Sequence, residues 1–140
     1  MYGMAYTADG KGPHPTVILL HGLPGNERSL DLAQSIRRGG YNVIYFNYRG
    51  TWGSKGTFGF QNAIDDVGAV IDYITDSLHS STLKVDKDRI ALYGHSMGAG
   101  FSLLAGLKDP RVKAVIGISV FNPYTLLQGD EARGNLISLK

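Results

Sequence analysis

The sequence has no cysteine in its 140 residues. Disulfide bonds, zinc sites built from thiolates and a cysteine nucleophile are therefore excluded. No segment approaches the roughly 18 consecutive apolar residues of a membrane-spanning helix, so no membrane span is predicted. The amino terminus carries neither the basic region nor the apolar region of a secretory signal, which leaves the cytoplasm as the default expectation for its location.

Concentrated charge is also lacking. The 14 Lys and Arg residues and the 12 Asp and Glu residues give a net charge of +2 and form no long runs. This distribution argues against a nucleic acid or an anionic membrane surface as a partner. The histidines are scattered, with no histidine–carboxylate spacing that suits zinc, and no loop matches a phosphate-binding pattern. We therefore expect no metal and no cofactor.

Short apolar runs alternate along the chain with segments of helical periodicity. Apolar, β-branched or aromatic runs predict strands at 16–20, 42–48, 89–93 and 113–118. Apolar residues at helical spacing predict helices at 29–38, at 62–77 with Asn62 as the cap, and from the glycines after 96 to Pro110. The polar residues 77–82 are predicted to form a loop. The alternation predicts one α/β domain over residues 1–140, with an open, mainly parallel sheet and helices on both faces.

A Gly-x-Ser-x-Gly pattern occupies residues 94–98. It directly follows a predicted strand and opens a predicted helix, which is the setting that holds a serine hydroxyl above the carboxyl edge of a sheet. Side chains at Gly94 and Gly98 would collide with neighbouring backbone in such a turn. Ser96 is therefore predicted to be a nucleophile. The first N–H groups of the following helix point at the reacting carbonyl, which makes the Met97 N–H a predicted oxyanion donor.

Two further glycine motifs accompany this one. The sequence HGLPG at residues 21–25 follows the first predicted strand, and YRGTWGS at residues 48–54 follows the second. With residues 94–98 they resemble the oxyanion loop, the post-strand turn and the nucleophile elbow of the α/β-hydrolase superfamily. The resemblance runs from the third core strand of that fold to its sixth. In this topology the first loop lies beside the elbow, so the Leu23 N–H is predicted to be the second oxyanion donor.

Within the superfamily, the sequence is similar to lipase and esterase members and also to prolyl-oligopeptidase-like members. The resemblance implies hydrolysis of a small carboxylic ester through an acyl-enzyme at Ser96. A serine peptidase of the prolyl-oligopeptidase type is the alternative, although the large N-terminal propeller of that type is lacking. A catalytically silent fragment is a third interpretation, because the sequence departs from the superfamily pattern after the serine.

The departure concerns the catalytic base. A serine nucleophile needs a histidine base that is itself oriented by a carboxylate, and in this superfamily both follow the serine. No histidine follows Ser96. Asp130 and Glu131, which come after the last predicted strand, are the candidates for the acid, whereas Asp109 is predicted to lie at the wrong end of the sheet.

The four histidines of the chain are assigned other roles. His21 and His95 are predicted to satisfy local backbone groups, and His14 and His79 to be surface residues. Arg49, at a strand end, is predicted to form a structural salt bridge.

The missing base predicts that residues 1–140 are the serine-bearing part of a longer hydrolase domain, truncated before the strands that carry the acid and the histidine. The last predicted strand would then lie at an edge of the sheet. An open edge favours pairing with another chain, either a second copy or the complementary part of the fold.

Overall fold

The computed structural model describes residues 1–23, 25 and 28–122. Within these ranges the chain forms strands and helices that alternate after an initial strand. In chain order they are β1 (Tyr2–Tyr6), β2 (His14–Leu20), α1 (Leu30–Arg38), β3 (Asn42–Asn47), α2 (Phe60–Thr75), α3 (Ser77–Thr82), β4 (Val85–His95), α4 (Met97–Lys108) and β5 (Val112–Ile118).

The strands form one sheet in the order β1-β3-β2-β4-β5. The neighbours β3 and β2, β2 and β4, and β4 and β5 are parallel, whereas β1 runs antiparallel to β3. A parallel neighbour requires the chain to cross back over one face of the sheet, and helices make these crossings. The prediction of an open, mainly parallel sheet is confirmed.

Each face of the sheet carries its own apolar cluster. The cluster on the α1 face consists of the buried residues Val17, Leu19, Ala33, Val43 and Tyr45. The larger cluster joins the opposite face to α2 and α4, and includes Ile18, Leu20, Phe46, Val67, Ile71, Leu92 and Phe101. Successive strand residues point to opposite faces, so a strand covered on both sides needs an unbroken apolar run. This confirms the prediction of helices on both faces.

Two elements lie where the sequence predicted none. β1 contains a glycine and no β-branched residue, so it lacks the β-branched run that marks the buried strands, and all of its residues are exposed or half-buried. The prediction of a loop at 77–82 was wrong, because these residues form α3. The Asp76 carboxylate accepts hydrogen bonds from the N–H groups of Leu78 and His79 at 3.0 and 3.3 Å. This side-chain cap starts a helix within a polar segment.

Two predicted boundaries were also wrong. α2 begins at Phe60 with Gly59 in the cap position. Asn62 is therefore inside the helix, where its amide donates to the Thr57 carbonyl at 3.0 Å. β4 begins at Val85, well before the predicted start, because the buried Val85 already pairs with His14 of β2. The polar residues 86–89 interrupt this pairing until Ile90 pairs with Thr16.

β5 lies at the edge of the sheet and has no second neighbour among the described strands. Val115 packs toward Gly106 of α4. Ile116 and Ile118, which alternate with it on the opposite face, are 53% and 48% exposed. The edge position agrees with the sequence-based expectation, while pairing of β5 with another chain stays a prediction.

Candidate active site

Ser96 stands at the sharp turn between β4 and α4. Its backbone angles are φ 54° and ψ −118°, in a region that residues with a Cβ rarely adopt. Such a conformation persists only where the surroundings hold it. The side chain is half-buried, and its Oγ makes no hydrogen bond to any residue that the structure describes. The turn therefore presents an unengaged hydroxyl at the carboxyl end of a central strand.

Glycines on both sides of Ser96 make this turn possible. A Cβ on Gly94 would overlap the backbone of Gly98, and a Cβ on Gly98 would overlap the carbonyl of Leu20 at the end of β2. The first turn of α4 thus lies directly against β2. No residue with a side chain fits at either position without moving backbone, which agrees with the sequence-based interpretation of these glycines.

Backbone hydrogen bonds from three directions hold the turn. The Ser96 N–H donates to the carbonyl of Ile118, the last residue of β5, at 2.9 Å. The Ser96 carbonyl accepts from the N–H of Phe121, three residues beyond β5, at 3.1 Å. The same carbonyl accepts the N–H groups of Ala99 and Gly100. Met97 is the first residue of α4, where an N–H has no partner within the helix.

The loop after β2 lies beside the hydroxyl. A Cβ built on Gly22 would come within 3.1 Å of the Ser96 Cβ and 3.6 Å of its Oγ. The structure therefore brings Gly22, at the start of the loop after β2, next to Ser96, as the sequence predicted. Leu23 follows Gly22 directly, and its apolar side chain is 56% exposed. The role of its N–H as an oxyanion donor stays a prediction, as does that of Met97.

His21 lies beneath this loop and is only 5% exposed. Its Nδ1 is 2.8 Å from the Gly22 carbonyl, and its ring centroid is 4.4 Å from that of Tyr48. The Tyr48 hydroxyl donates to the His21 carbonyl at 3.2 Å. Burial lowers the pKa of the His21 imidazole, and the hydrogen bond to Gly22 opposes that change only in part. His21 is thus a buried neutral ring that satisfies a local backbone group, as expected.

No other histidine approaches the serine hydroxyl. His95 ends β4 on the face shared with Ala91 and Tyr93, and no hydrogen bond joins it to Ser96. His14 begins β2, at the end remote from Ser96. His79 lies in α3, with Nδ1 3.1 Å from Asp76 Oδ1 and its ring stacked on Tyr73 at 3.8 Å.

The description of His14 and His79 as surface residues was wrong, since both are half-buried. His14 pairs with Val85, which is far away in sequence, whereas His79 packs on the ring of Tyr73, six residues earlier.

Only one of the acidic residues that follow Ser96, Asp109, lies among the described residues. Asp130 and Glu131 lie outside the described residues. Asp109 precedes β5, at the end of the sheet away from Ser96, and accepts hydrogen bonds from Arg111 Nε at 2.9 Å and Nη2 at 2.6 Å. Those bonds hold the pKa of the Asp109 carboxyl below its ordinary value. Asp109 therefore belongs to a surface ion pair, and the expectation that it sits at the wrong end is met.

The turn after β3 is tied to α2 by a buried carboxylate. Asp66 is fully buried and accepts from Arg49 Nε at 2.6 Å and from the Arg49 backbone N–H at 2.7 Å. These bonds raise the pKa of the Arg49 guanidinium. The prediction of a structural salt bridge at Arg49 is confirmed.

A cluster of metal ligands and a membrane-spanning helix are both absent from the described residues. No three His, Asp or Glu side chains lie close enough together there to hold a metal ion. None of the helices described is long and apolar enough to cross a membrane.

Comparison with known proteins agrees with this geometry. Residues 11–130 match the profile of the family described as serine aminopeptidase, S33. The chain belongs to this hydrolase family. Its sequence is 30% identical over 130 residues to the quorum-quenching protein AidA of Acinetobacter baumannii, covering 81% of this chain and 41% of that protein. The chain spans about two fifths of the length of the curated relatives that it matches.

Solved structures place the fold among the α/β hydrolases. Est1E of Butyrivibrio proteoclasticus, solved with ferulic acid bound, superposes with a TM-score of 0.76 at 21% identity, covering 99% of this chain and 55% of that one. Acetyl xylan esterase 1 of Thermoanaerobacterium superposes with a TM-score of 0.69 at 20% identity, covering 93% and 47%. At these identities the likeness establishes the fold, and the α/β-hydrolase resemblance is confirmed.

Gly98→Ala tests the contact between α4 and β2. We expect the added methyl group to displace the Leu20 carbonyl and to lower the free energy of unfolding by about 1–3 kcal/mol, the usual penalty of overpacking. Gly68→Ala is the matched control, because a Cβ at this position of α2 meets nothing within 4 Å. There alanine should raise the free energy of unfolding by about 0.5–1 kcal/mol. Urea denaturation of both variants measures the difference, and equal effects would contradict the assigned contact.

The lowered pKa of His21 predicts a pH dependence of stability. At pH values below 6.5, the ordinary pKa of histidine, His21 binds a proton more readily in the unfolded state than in the folded state. The free energy of unfolding should therefore fall as the pH drops below 6.5, by at most about 1.4 kcal/mol per pH unit from this group. The neighbouring rings of Tyr45 and Tyr48 stay neutral there, since burial raises both of their pKa values.

Urea denaturation at about pH 7.5 and about pH 5.5 checks this effect. The two pH values lie about one unit on either side of the ordinary histidine pKa. His21→Phe keeps a buried ring but cannot titrate. Its stability should fall less steeply with acidification than that of the wild type, whereas parallel curves would show that His21 is not the group responsible.

Proposed function

We propose that this chain carries the nucleophile of a carboxylic-ester hydrolase, and that the nucleophile is Ser96. The observation that carries the proposal is the strained serine at the strand–helix turn, whose hydroxyl is unengaged by the described residues and faces the Gly22 loop. Backbone strain at a residue that carries a reactive functional group is typical of an active site. Membership of a serine hydrolase family supports the same assignment.

The proposed reaction has two steps. Ser96 Oγ attacks the ester carbonyl carbon while a base takes its proton, and the carbonyl oxygen becomes an oxyanion that accepts from the N–H groups of Met97 and Leu23. Collapse of this intermediate breaks the ester bond, and the alcohol leaves with the proton. Water then attacks the acyl-enzyme in the same way and releases the carboxylic acid and the free serine.

The base in this scheme comes from outside the sequence. No histidine follows Ser96, and none of the four present hydrogen-bonds to its Oγ. The edge of β5 is the proposed entry point, because the last residue of this strand, Ile118, already accepts a hydrogen bond from the Ser96 N–H. A parallel strand added beside β5, from a second copy or a complementary part of the fold, would end close to the hydroxyl. Asp130 and Glu131 remain the candidates for the acid.

A peptidase is the second candidate function, because the matching family is described as a serine aminopeptidase. Ester hydrolysis is favoured by two structural neighbours, one an acetyl xylan esterase and the other holding ferulic acid. The substrate class therefore has to be decided by comparing a p-nitrophenyl ester with a peptide p-nitroanilide. Ester cleavage without amide cleavage supports the esterase, and preferential amide cleavage would replace it with the peptidase.

Labelling by a fluorophosphonate tests Ser96 directly. The serine oxygen bonds to phosphorus, fluoride leaves and the proton passes to a base. Because the chain lacks a positioned imidazole, free imidazole should act as the base and accelerate labelling. We expect a single added phosphonate by intact mass, at a rate that rises with imidazole concentration.

Two variants control this experiment. Ser96→Ala should take up no label, whereas Ser81→Ala, an exposed serine of α3, should be labelled like the wild type. Label that persists in Ser96→Ala would refute the assignment of the nucleophile. No label at any imidazole concentration would favour a catalytically silent module instead.

A further inference from the structure

His21 has a hydrogen bond whose direction fixes its chemical form. A carbonyl can only accept, so the contact between Nδ1 and the Gly22 oxygen requires Nδ1 to carry the proton. Nε2 is then the unprotonated nitrogen of a neutral ring. It is fully buried, and no described residue hydrogen-bonds to it. The ring thus donates from Nδ1 to the neighbouring peptide, while Nε2 has no partner among the described residues.

The unpaired nitrogen indicates that the His21 ring does more than fill space in the core. Burying a polar atom without a partner costs about 1–3 kcal/mol, and an apolar ring at this position would avoid that cost. The ring is closely packed, with the Tyr48 ring at 4.4 Å and Gly25 so near that a Cβ there would overlap the imidazole. The contribution that histidine makes here and phenylalanine cannot is the Nδ1–H donor.

The peptide that receives this hydrogen bond is the one beside the nucleophile. Gly22 lies against Ser96, and the bond from Gly22 to Leu23 is not among the cis peptides of the chain. In a trans peptide the C=O and N–H groups point in opposite directions. Fixing the Gly22 oxygen on His21 therefore turns the Leu23 N–H away from the ring and holds it there.

We propose that His21 is a positioning residue: its Nδ1–H holds the Gly22–Leu23 peptide so that the Leu23 N–H is oriented to donate to the oxyanion of a substrate bonded to Ser96. The catalytic consequence of this inference rests on the proposed function. The tautomer of His21 and the orientation of the peptide can be measured without any reaction. A donor that is fixed before the substrate arrives needs no reorganisation when charge develops.

The tautomer of His21 is the first test, made on the unmodified chain. Long-range proton–nitrogen correlation spectra of the imidazole distinguish a protonated Nδ1 from a protonated Nε2. We expect the Nδ1–H form at neutral pH. A ring protonated on Nε2 cannot donate to Gly22 and would overturn the proposal by itself.

Two substitutions separate the donor from the ring. His21→Asn replaces Nδ1–H with an amide N–H at nearly the same distance from the backbone, and His21→Phe keeps the ring without a donor. The Leu23 amide resonance should stay close to its wild-type position in His21→Asn and move in His21→Phe. Equal displacement in both variants would mean that packing, not the hydrogen bond, sets the peptide orientation.

Phosphonate labelling of Ser96 in imidazole supplies the functional measurement. In His21→Phe the maximal labelling rate should fall by about 100-fold or more, the scale of losing one oxyanion donor, with little change in the half-saturating reagent concentration. His21→Asn should recover most of the rate. A Phe variant that labels at the wild-type rate would overturn the positioning role, whereas a wild type that takes no label with the Nδ1–H form intact would overturn only the proposed function.

Discussion

The contact between the backbone of Gly98 and the Leu20 carbonyl is the constraint on which the candidate site depends. It lets the first turn of α4 lie against the end of β2, which no side chain at Gly98 would allow. Once the helix is held there, the chain leaving β4 has to turn at Ser96 with a positive φ. The same approach brings the loop after β2 beside the serine. Strain at one residue and proximity of the loop therefore have a common cause.

Neighbouring parts of the sheet stabilise this arrangement from two sides. Ile118, the last residue of β5, and Phe121, three residues beyond it, bind the Ser96 backbone. On the other side, Tyr48 packs on His21 and donates to its carbonyl, and the Arg49–Asp66 pair anchors the turn in which Tyr48 lies. The loop beside Ser96 thus rests on a buried network that extends to α2. In the proposed function, this chain provides the nucleophile and its supporting backbone, and the base comes from another source.

The sequence predicts those features whose causes are local. The apolar runs of β2 and β3 identify strands covered on both faces, and Gly94 and Gly98 identify the turn at Ser96 because only glycine fits there. β1 could not be found, since it is exposed and is held by pairing with β3, far away in sequence. The unpaired nitrogen of His21 was equally hidden, because it results from how the rings and loops pack around it.

The central claim is that Ser96 is the nucleophile, and trapping its acyl-enzyme tests that claim most directly. The chain is mixed with p-nitrophenyl acetate in the presence of imidazole, quenched in acid, digested and mapped by tandem mass spectrometry. The account predicts an acetyl group on the peptide that contains residues 94–98, located on Ser96 and absent from Ser96→Ala. Acetyl groups confined to lysines or the amino terminus, with Ser96 unmodified, would contradict it.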